Sequence, residues 1–277
     1  MKLQAKLILA LALGLGMAGC VTTETVNNKG GGSPAGGSSG DSVSSVSSQV
    51  SPAEEKRRRA RIRLELAVSH YQSANMPLAL QEIDQAIKID PDYAAAWGMR
   101  ALVYAAMNDG ERADANFRQG LKLTPKDPEL NNNYGWYLCQ TGKVSESIAY
   151  FQKAINNPLY QTPEIAHLNA GACYAKLGEL DLAQEYIQRV LRFDPDNLQA
   201  KFQMAEINYR RGNYDAVRTQ MSNLIRQTEP TAEMLWLLLR TERRLGNRSE
   251  EESLTAQLRR QYPDSPEYQA LRKGNYE

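Results

Sequence analysis

Three cysteines are the residues of this 277-residue chain with the most distinctive side-chain chemistry. Cys139 and Cys173 lie 34 residues apart. Two thiols can form a disulfide when their Cα atoms come within about 7 Å of each other. Two buried free thiols are the alternative, and the sequence leaves both open. Cys20 is separate from this pair, because it directly follows a short apolar segment near the N-terminus.

No other group of side chains matches a catalytic or metal-binding motif. The two histidines, His70 and His167, are over 90 residues apart, and neither lies beside a cysteine or carboxylate motif. The sequence contains no P-loop, no Gly-x-Ser-x-Gly nucleophile motif and no Cys/His cluster with metal-ligand spacing. We therefore predict that the protein is not an enzyme and that it needs no cofactor and no metal.

The elements that carry these residues are helix hairpins with a fixed period. Between Trp97 and Pro125, apolar and small residues recur every three or four positions on both sides of a turn at Asn108–Gly110, which predicts two amphipathic helices. Aligned copies begin near residues 60, 94, 128, 164, 198 and 232, a spacing of 34, 34, 36, 34 and 34. This period is the signature of the tetratricopeptide repeat (TPR). We predict an all-α fold, a right-handed superhelix of six TPR hairpins.

The packing positions of the copies support this alignment. The small residue on the first helix is Ala67, Ala101, Gly135, Gly171 and Ala205, with Leu239 in the last copy, and the bulky wedge on the second helix is Ile83, Phe117, Phe151, Ile187 and Met221. We expect a TPR domain over 51–277, with repeats near 60–93, 94–127, 128–163, 164–197, 198–231 and 232–265. The helix-start pattern Ser51–Glu54 predicts a long first helix, and Asp264–Glu267 predicts a C-terminal capping helix.

The N-terminal segment 1–19 has the features of a secretory signal, with a basic start and a short apolar run at 7–15. Such a run is too short to span a bilayer as a mature helix. Its ending, Met17–Cys20, resembles the lipobox of bacterial lipoproteins. The resemblance implies cleavage before Cys20, acylation of that cysteine and anchoring in a membrane, and Val21 after the cysteine favours the outer membrane. An ordinary cleaved signal that leaves a free cysteine is the alternative.

The segment that follows Cys20, up to residue 50, is rich in glycine and serine. Because it offers almost nothing to bury, we expect it to be a flexible tether between the lipidated cysteine and the TPR domain. Without the predicted signal, 31 basic residues face 32 acidic ones, so we expect no nucleic-acid partner. The basic run Lys56–Arg63 is either a solvated helix face or a contact with anionic lipid or an acidic partner.

Two surfaces are candidates for partner binding, since the first helices of TPR hairpins line a concave face. In repeats one to three we expect an exposed, mainly apolar groove, which would mark a partner site. Its residues are Leu64, Val68, Tyr71, Leu102, Asn132 and Trp136. The alternative is that the long first helix or the tether covers them. In repeats five and six the same face is polar and basic, and a guanidinium cluster suits a carboxylate partner such as a peptide C-terminus. Its residues are Glu206, Tyr209, Arg210, Trp236, Arg240, Arg243 and Arg244.

Four strings add a more specific resemblance: Asn132–Cys139, Leu159–Tyr160, Leu191–Phe193 and Tyr262–Tyr268. Together with the lipobox and the six repeats, they resemble the type IV pilus biogenesis lipoproteins of the PilF/PilW family. The resemblance implies a pilotin anchored by its lipid at the periplasmic face of the outer membrane of a Gram-negative cell. Such a protein binds the pilus secretin and promotes its localisation, multimerisation or stability. In that family the groove of the first repeats has been linked to function.

Two other interpretations are compatible with the same sequence. One is a periplasmic TPR adaptor that scaffolds envelope enzymes such as peptidoglycan hydrolases, and the more distant one is a chaperone-like binder of unfolded outer-membrane proteins. In every case we expect a monomer that acts through protein–protein contacts.

Overall fold

The computed structural model describes residues 51–276, which form thirteen α-helices and no strand. The helices are α1 (Pro52–Gln72), α2 (Met76–Ile89), α3 (Ala94–Ala106), α4 (Gly110–Leu123), α5 (Pro128–Gln140), α6 (Val144–Ile155), α7 (Pro163–Leu177), α8 (Leu180–Phe193), α9 (Leu198–Arg210), α10 (Tyr214–Gln227), α11 (Ala232–Leu245), α12 (Arg248–Gln261) and α13 (Pro266–Arg272). The predicted signal, Cys20 and the tether lie outside the described residues. None of these thirteen helices is both long enough and apolar enough to cross a membrane.

The first twelve helices pair into six hairpins joined by turns of two or three residues. Each turn contains one residue with a positive φ, a conformation that favours glycine. These residues are Ala74, Asn108, Gly142, Gly178, Gly212 and Gly246, so they recur at intervals of 34, 34, 36, 34 and 34. The backbone therefore repeats with the predicted period, and the predicted superhelix of six hairpins with a C-terminal capping helix is confirmed.

The hairpins stack into two layers. The first helices of successive hairpins contact one another, from α1 and α3 to α9 and α11, and form the inner layer. The second helices of the first five hairpins each pack between their own first helix and the first helix of the next hairpin. The capping helix α13 contacts α11 and so covers the last hairpin.

The interior of each hairpin is built from the predicted small and bulky positions. The five wedge residues, Ile83, Phe117, Phe151, Ile187 and Met221, are all fully buried. In the third hairpin a Cβ atom on Gly135 would lie only 3.0 Å from Cε1 of Phe151 and 3.2 Å from the Ser147 carbonyl oxygen. Glycine at this position is what allows α5 and α6 to approach so closely.

The first helix begins where its sequence predicts. The Glu54 amide donates a hydrogen bond to Ser51 Oγ at 3.2 Å, and the Ser51 amide donates one to Glu54 Oε2 at 2.8 Å. This reciprocal capping box satisfies two amides that the helix leaves without partners.

The basic run that follows is largely occupied by contacts within the domain. Lys56 and Arg57 both pair with Asp90 at the end of α2, and Arg63 Nη1 lies 2.9 Å from Glu82. These pairs tie part of the run to α2, and the paired basic side chains remain about half exposed.

Candidate protein-binding surfaces on the inner layer

The predicted groove of repeats one to three is mostly closed. Leu64 and Tyr71 are each 9% exposed and Leu102 is 7% exposed, and all three belong to one buried cluster that spans the first two hairpins and part of α5. The expectation that they form an exposed patch is wrong, because α1, α3 and α5 pack against one another and cover these side chains. Their burial stabilises the stacking of repeats.

Asn132 is also buried, at 4% exposure. The Asn169 side-chain amide donates a hydrogen bond to Asn132 Oδ1 at 3.0 Å, which joins α7 to α5. The expected exposure of Asn132 in the groove is therefore wrong as well. A buried polar side chain at a repeat junction needs such a partner, since leaving it unsatisfied costs roughly 1–3 kcal/mol.

Val68 and Trp136 are the members of the predicted groove that stay half-buried. Val68 packs at the margin of the first buried cluster, and Trp136 packs against a second cluster that contains Cys139, Phe151 and Cys173. Their partial exposure on α1 and α5 leaves apolar surface on the inner layer that a partner could cover.

A disulfide joins Cys139 on α5 to Cys173 on α7, with the Cα atoms 6.0 Å apart. Both cysteines are buried and lie in the same cluster as Phe151. The bond joins repeat three to repeat four, the two repeats connected by the longer linker 156–162. It therefore holds the two repeats together across the array.

A second surface lies at the other end of the inner layer, where α9, α11 and the segment after α13 meet. Two adjoining clefts of about 310 and 560 Å³ share Tyr209, Arg240, Arg244 and Tyr276. We call this surface the arginine cleft and define it by Glu206, Tyr209, Arg210, Arg240, Arg243, Arg244 and Tyr276.

Arg240 has the most distinctive environment in the arginine cleft. Its guanidinium lies over the ring of Tyr209 at 4.7 Å and near the ring of Trp236 at 5.6 Å, measured to the ring centroids. Burial lowers the pKa of Arg240 from its usual value, although arginine stays charged at neutral pH. Within residues 51–276, no carboxylate lies within 4.0 Å of its guanidinium, and its buried Nε atom has no hydrogen-bond partner.

The neighbours of Arg240 are more fully paired. Arg243 stacks on Tyr276 at 3.9 Å and lies 2.7 Å from Glu251. Arg210 donates a hydrogen bond to a backbone carbonyl of α7. Burial raises the pKa of Glu206, and the nearby positive charges of Arg210 and Arg240 oppose that increase.

Comparison with known proteins agrees with this architecture. The tetratricopeptide repeat family model matches residues 58–229. The crystal structure of PilW, described as a widely conserved type IV pilus biogenesis factor, is 34% identical, with a TM-score of 0.70 and alignment over 76% of this chain and 97% of PilW. The chain belongs to the TPR family and is a homologue of PilW.

A further TPR relative is the type IV pilus assembly protein PilF of Pseudomonas aeruginosa. It is 25% identical over 206 residues, which cover 74% of this chain and 82% of PilF. A solved PilF structure has the same fold, with a TM-score of 0.66 over 79% of this chain and 99% of that structure. The predicted resemblance to the PilF/PilW family is thus confirmed at the level of homology.

His167 makes packing contacts within the fourth repeat. His167 Nδ1 lies 2.8 Å from the Pro163 carbonyl oxygen, and its ring packs on Tyr186. In the part of the chain that the structure describes, no group of three His, Cys, Asp or Glu side chains is placed to hold a metal ion. A TPR fold of this kind is typical of protein–protein interaction.

Repeat periodicity could not predict the contribution of Tyr276 to the arginine cleft. Tyr276 lies beyond the repeat frame, and its ring stacks on Trp236 with centroids 5.7 Å apart. No spacing rule connects a residue after the capping helix with a residue on α11. The one sequence signal for this contact is that an aromatic residue, Tyr276, lies near the end of the TPR array.

Proposed function

We propose that this protein is an outer-membrane lipoprotein of type IV pilus biogenesis that binds the pilus secretin and promotes its outer-membrane localisation, multimerisation or stability. The observation that carries the proposal is the homology to PilW over almost the whole of that chain. The homology to the pilus assembly protein PilF supports it. In this proposal the protein acts by binding and not by catalysis.

The N-terminal sequence supports the membrane location. The lipobox-like ending at Cys20 would give an acylated cysteine, and the glycine- and serine-rich segment would follow it directly. About 30 flexible residues have a root-mean-square span of about 30 Å. Such a tether keeps the TPR array near the membrane and raises its local concentration around a membrane partner without fixing its orientation.

The inner layer of the first repeats is the proposed contact surface for the secretin. Because Leu64, Tyr71 and Leu102 are buried, Val68 and Trp136 are the apolar members of the predicted groove that keep surface for a contact. Aromatic residues with partly exposed rings are frequent anchors in protein interfaces. We therefore propose Val68 and Trp136 as the binding residues and assign the other groove residues to support.

Placing a charge at each of these positions tests the proposal. We expect the double variant Val68→Asp/Trp136→Asp to co-purify with about tenfold less secretin than the wild-type protein, or even less. The reason is that two carboxylates would have to be desolvated in the complex. The measurement is co-purification of secretin with the tagged protein from solubilised membranes.

The matched control carries the same two charges at Leu78 and Leu182, which are both exposed on second helices. Circular dichroism checks that both double variants remain folded. Equal recovery of secretin with wild-type protein and the folded Val68→Asp/Trp136→Asp variant would remove this surface from the proposal.

A further inference from the structure

We propose that one edge of the array rests on the phospholipid surface in which Cys20 would be anchored, with Leu159 and Phe193 inserted among the lipids. We call this side the loop edge and define it by the segments that connect successive hairpins, which are 90–93, 124–127, 156–162, 194–197 and 228–231. The inference rests on the lipid anchor of the proposed function, and it adds which side of the array faces the membrane.

The loop edge carries the two most exposed large apolar side chains of the described residues. Leu159 is 81% exposed and Phe193, the last residue of α8, is 89% exposed, whereas the other exposed large apolar side chains lie between 38% and 47%. The two loops concerned lead directly into α7 and α9, and these helices contact each other. Neighbouring helices pack roughly 10 Å apart, so the two loops are neighbours on the edge.

The predicted tether joins the array at this same edge. Arg57, in the second turn of α1, pairs with Asp90 and lies over the ring of Tyr93 at 4.9 Å from the ring centroid. Asp90 and Tyr93 are the two ends of the first connecting loop. The start of α1 therefore lies beside that loop, and the chain that precedes Ser51 reaches the domain there.

The connecting loops follow one another in a row. The Asn157 side-chain amide donates a hydrogen bond to the Lys126 carbonyl oxygen at 2.7 Å, which joins the second loop to the third. The first helices contact one another in chain order from α1 to α11, so each loop lies next to the following one. The tether thus enters the domain on the side that presents Leu159 and Phe193. A root-mean-square span of about 30 Å lets the anchor and these two side chains meet the same bilayer.

The charges around Phe193 balance. Asp196 lies 2.9 Å from Lys201. Arg192 precedes Phe193 and Asp194 follows it, and both are exposed. Two positive and two negative side chains therefore surround this apolar side chain, and they give no net attraction to anionic lipid.

The loop that carries Leu159, 156–162, has no charged side chain of its own. The charged side chains nearest to it in the sequence and in the structure are Lys126, Asp127, Glu129, Lys153 and Glu164. Two positive and three negative charges leave one negative charge. A contact at this edge must therefore come from apolar burial, which suits neutral phospholipid as well as anionic phospholipid.

Insertion of these side chains would orient the array. Burying a leucine and a phenylalanine at the boundary between headgroups and acyl chains is favourable, and a flexible anchor alone sets no orientation. The first helices begin at the loop edge, so they would point away from the membrane. The inner layer would then open sideways, toward a partner in the same membrane.

Tryptophan quenching by lipid tests the contact. The full-length acylated protein is placed in phosphatidylcholine vesicles that contain phosphatidylcholine brominated in its acyl chains, which quenches tryptophan on contact. The variant Phe193→Trp puts a reporter on the loop edge. We expect the brominated lipid to lower its fluorescence, after subtraction of the wild-type signal, at least about twofold.

The matched control is Leu182→Trp, which puts the same reporter at an exposed position near the other end of α8. The two positions are about 16 Å apart along the helix, at 1.5 Å per residue. Brominated lipid should leave the fluorescence of this control unchanged. Circular dichroism checks that both variants remain folded.

A second substitution in the Phe193→Trp protein tests the part of Leu159. Leu159→Ser should weaken the quenching at least about twofold, because the contact loses one of its two apolar side chains. Met107→Ser, at an exposed position in a hairpin turn, should leave the quenching unchanged. Adding anionic phosphatidylglycerol to the vesicles should not be required for quenching.

Equal quenching at positions 193 and 182, or quenching that Leu159→Ser does not change, would overturn the inference. If the lipid does not quench but Leu159→Ser/Phe193→Ser co-purifies with less secretin, the edge is a protein contact and the inference is wrong.

Mass spectrometry of the segment that contains Cys20 separates this inference from the proposed function. A cysteine without an acyl group would remove the anchor, and this inference with it. An acylated protein without quenching would remove the inference alone. Quenching in a protein that secretin multimers do not need would support the membrane contact and contradict the proposed function.

Discussion

Replacing Phe151 by alanine is expected to lower the free energy of unfolding by about 3–5 kcal/mol. The side chain is fully buried, and its ring fills the space that Gly135 leaves open at the crossing of α5 and α6. It also lies in the same buried cluster as the disulfide, so the cavity would form where repeats three and four join. Chemical denaturation followed by circular dichroism measures the effect.

Phe193 supplies a matched control for this measurement. It is a phenylalanine on another second helix, but it is 89% exposed. Phe193→Ala should change the free energy of unfolding by no more than about 0.5 kcal/mol, as is usual for surface positions. If the two alanine variants were equally stable, the buried wedge would not be what holds each hairpin together.

Reduction of the disulfide is expected to have the second largest effect, a loss of about 3–4 kcal/mol. The crosslink connects residues 34 positions apart, so breaking it returns the conformational entropy of a long loop to the unfolded chain. It also releases a covalent bridge between α5 and α7. The measurement is denaturation of the wild-type protein with and without a reductant.

The double variant Cys139→Ala/Cys173→Ala is the control, because reductant should not change its stability. We expect it to resemble the reduced wild-type protein. A wild-type midpoint that does not respond to reductant, despite complete reduction shown by thiol titration, would contradict a stabilising role for this bond.

Much of the fold could be predicted because one pattern recurs along the chain. The turn residues Ala74, Asn108 and Gly142 occupy the same left-handed backbone conformation, although only the last is a glycine. Sequence spacing finds them because successive turns recur every 34 residues, apart from one interval of 36. The small and bulky positions follow from the same register, since each hairpin packs in the same way.

The exposure of the first groove was predicted wrongly for a physical reason. Helical position tells which way Leu102 points, but not how closely the neighbouring first helices approach it. In the structure α1 and α5 both pack beside α3 and leave Leu102 largely covered. The exposure of Leu102 depends on the distance between first helices of neighbouring repeats. The pattern of residues within one repeat carries no information about that distance.

The arginine cleft was predicted only in part, for a similar reason. The register placed Arg240 and Arg243 on the inner face, and composition alone suggested a carboxylate partner. The stacking of Arg240 on Tyr209, and of Tyr276 on Trp236, depends on contacts between repeats and on the segment after the capping helix. These contacts define the walls of the cleft and bury Arg240 Nε without a hydrogen-bond partner.

The proposed function combines an anchor with a TPR array. The predicted lipid at Cys20 would hold the protein at the membrane, and the inner layer would contact the secretin. If so, delivery of the secretin to the outer membrane should need both the anchor and the array. A soluble array would bind secretin without delivering it to the outer membrane.

The most direct test of this account is the amount of heat-stable secretin multimer in the outer membrane of a strain that lacks the protein. We predict that the multimer is lost or strongly reduced, that the wild-type protein restores it, and that Cys20→Ala leaves secretin mislocalised. Normal multimers and normal surface pili in the deletion strain would contradict the account and favour a general periplasmic adaptor.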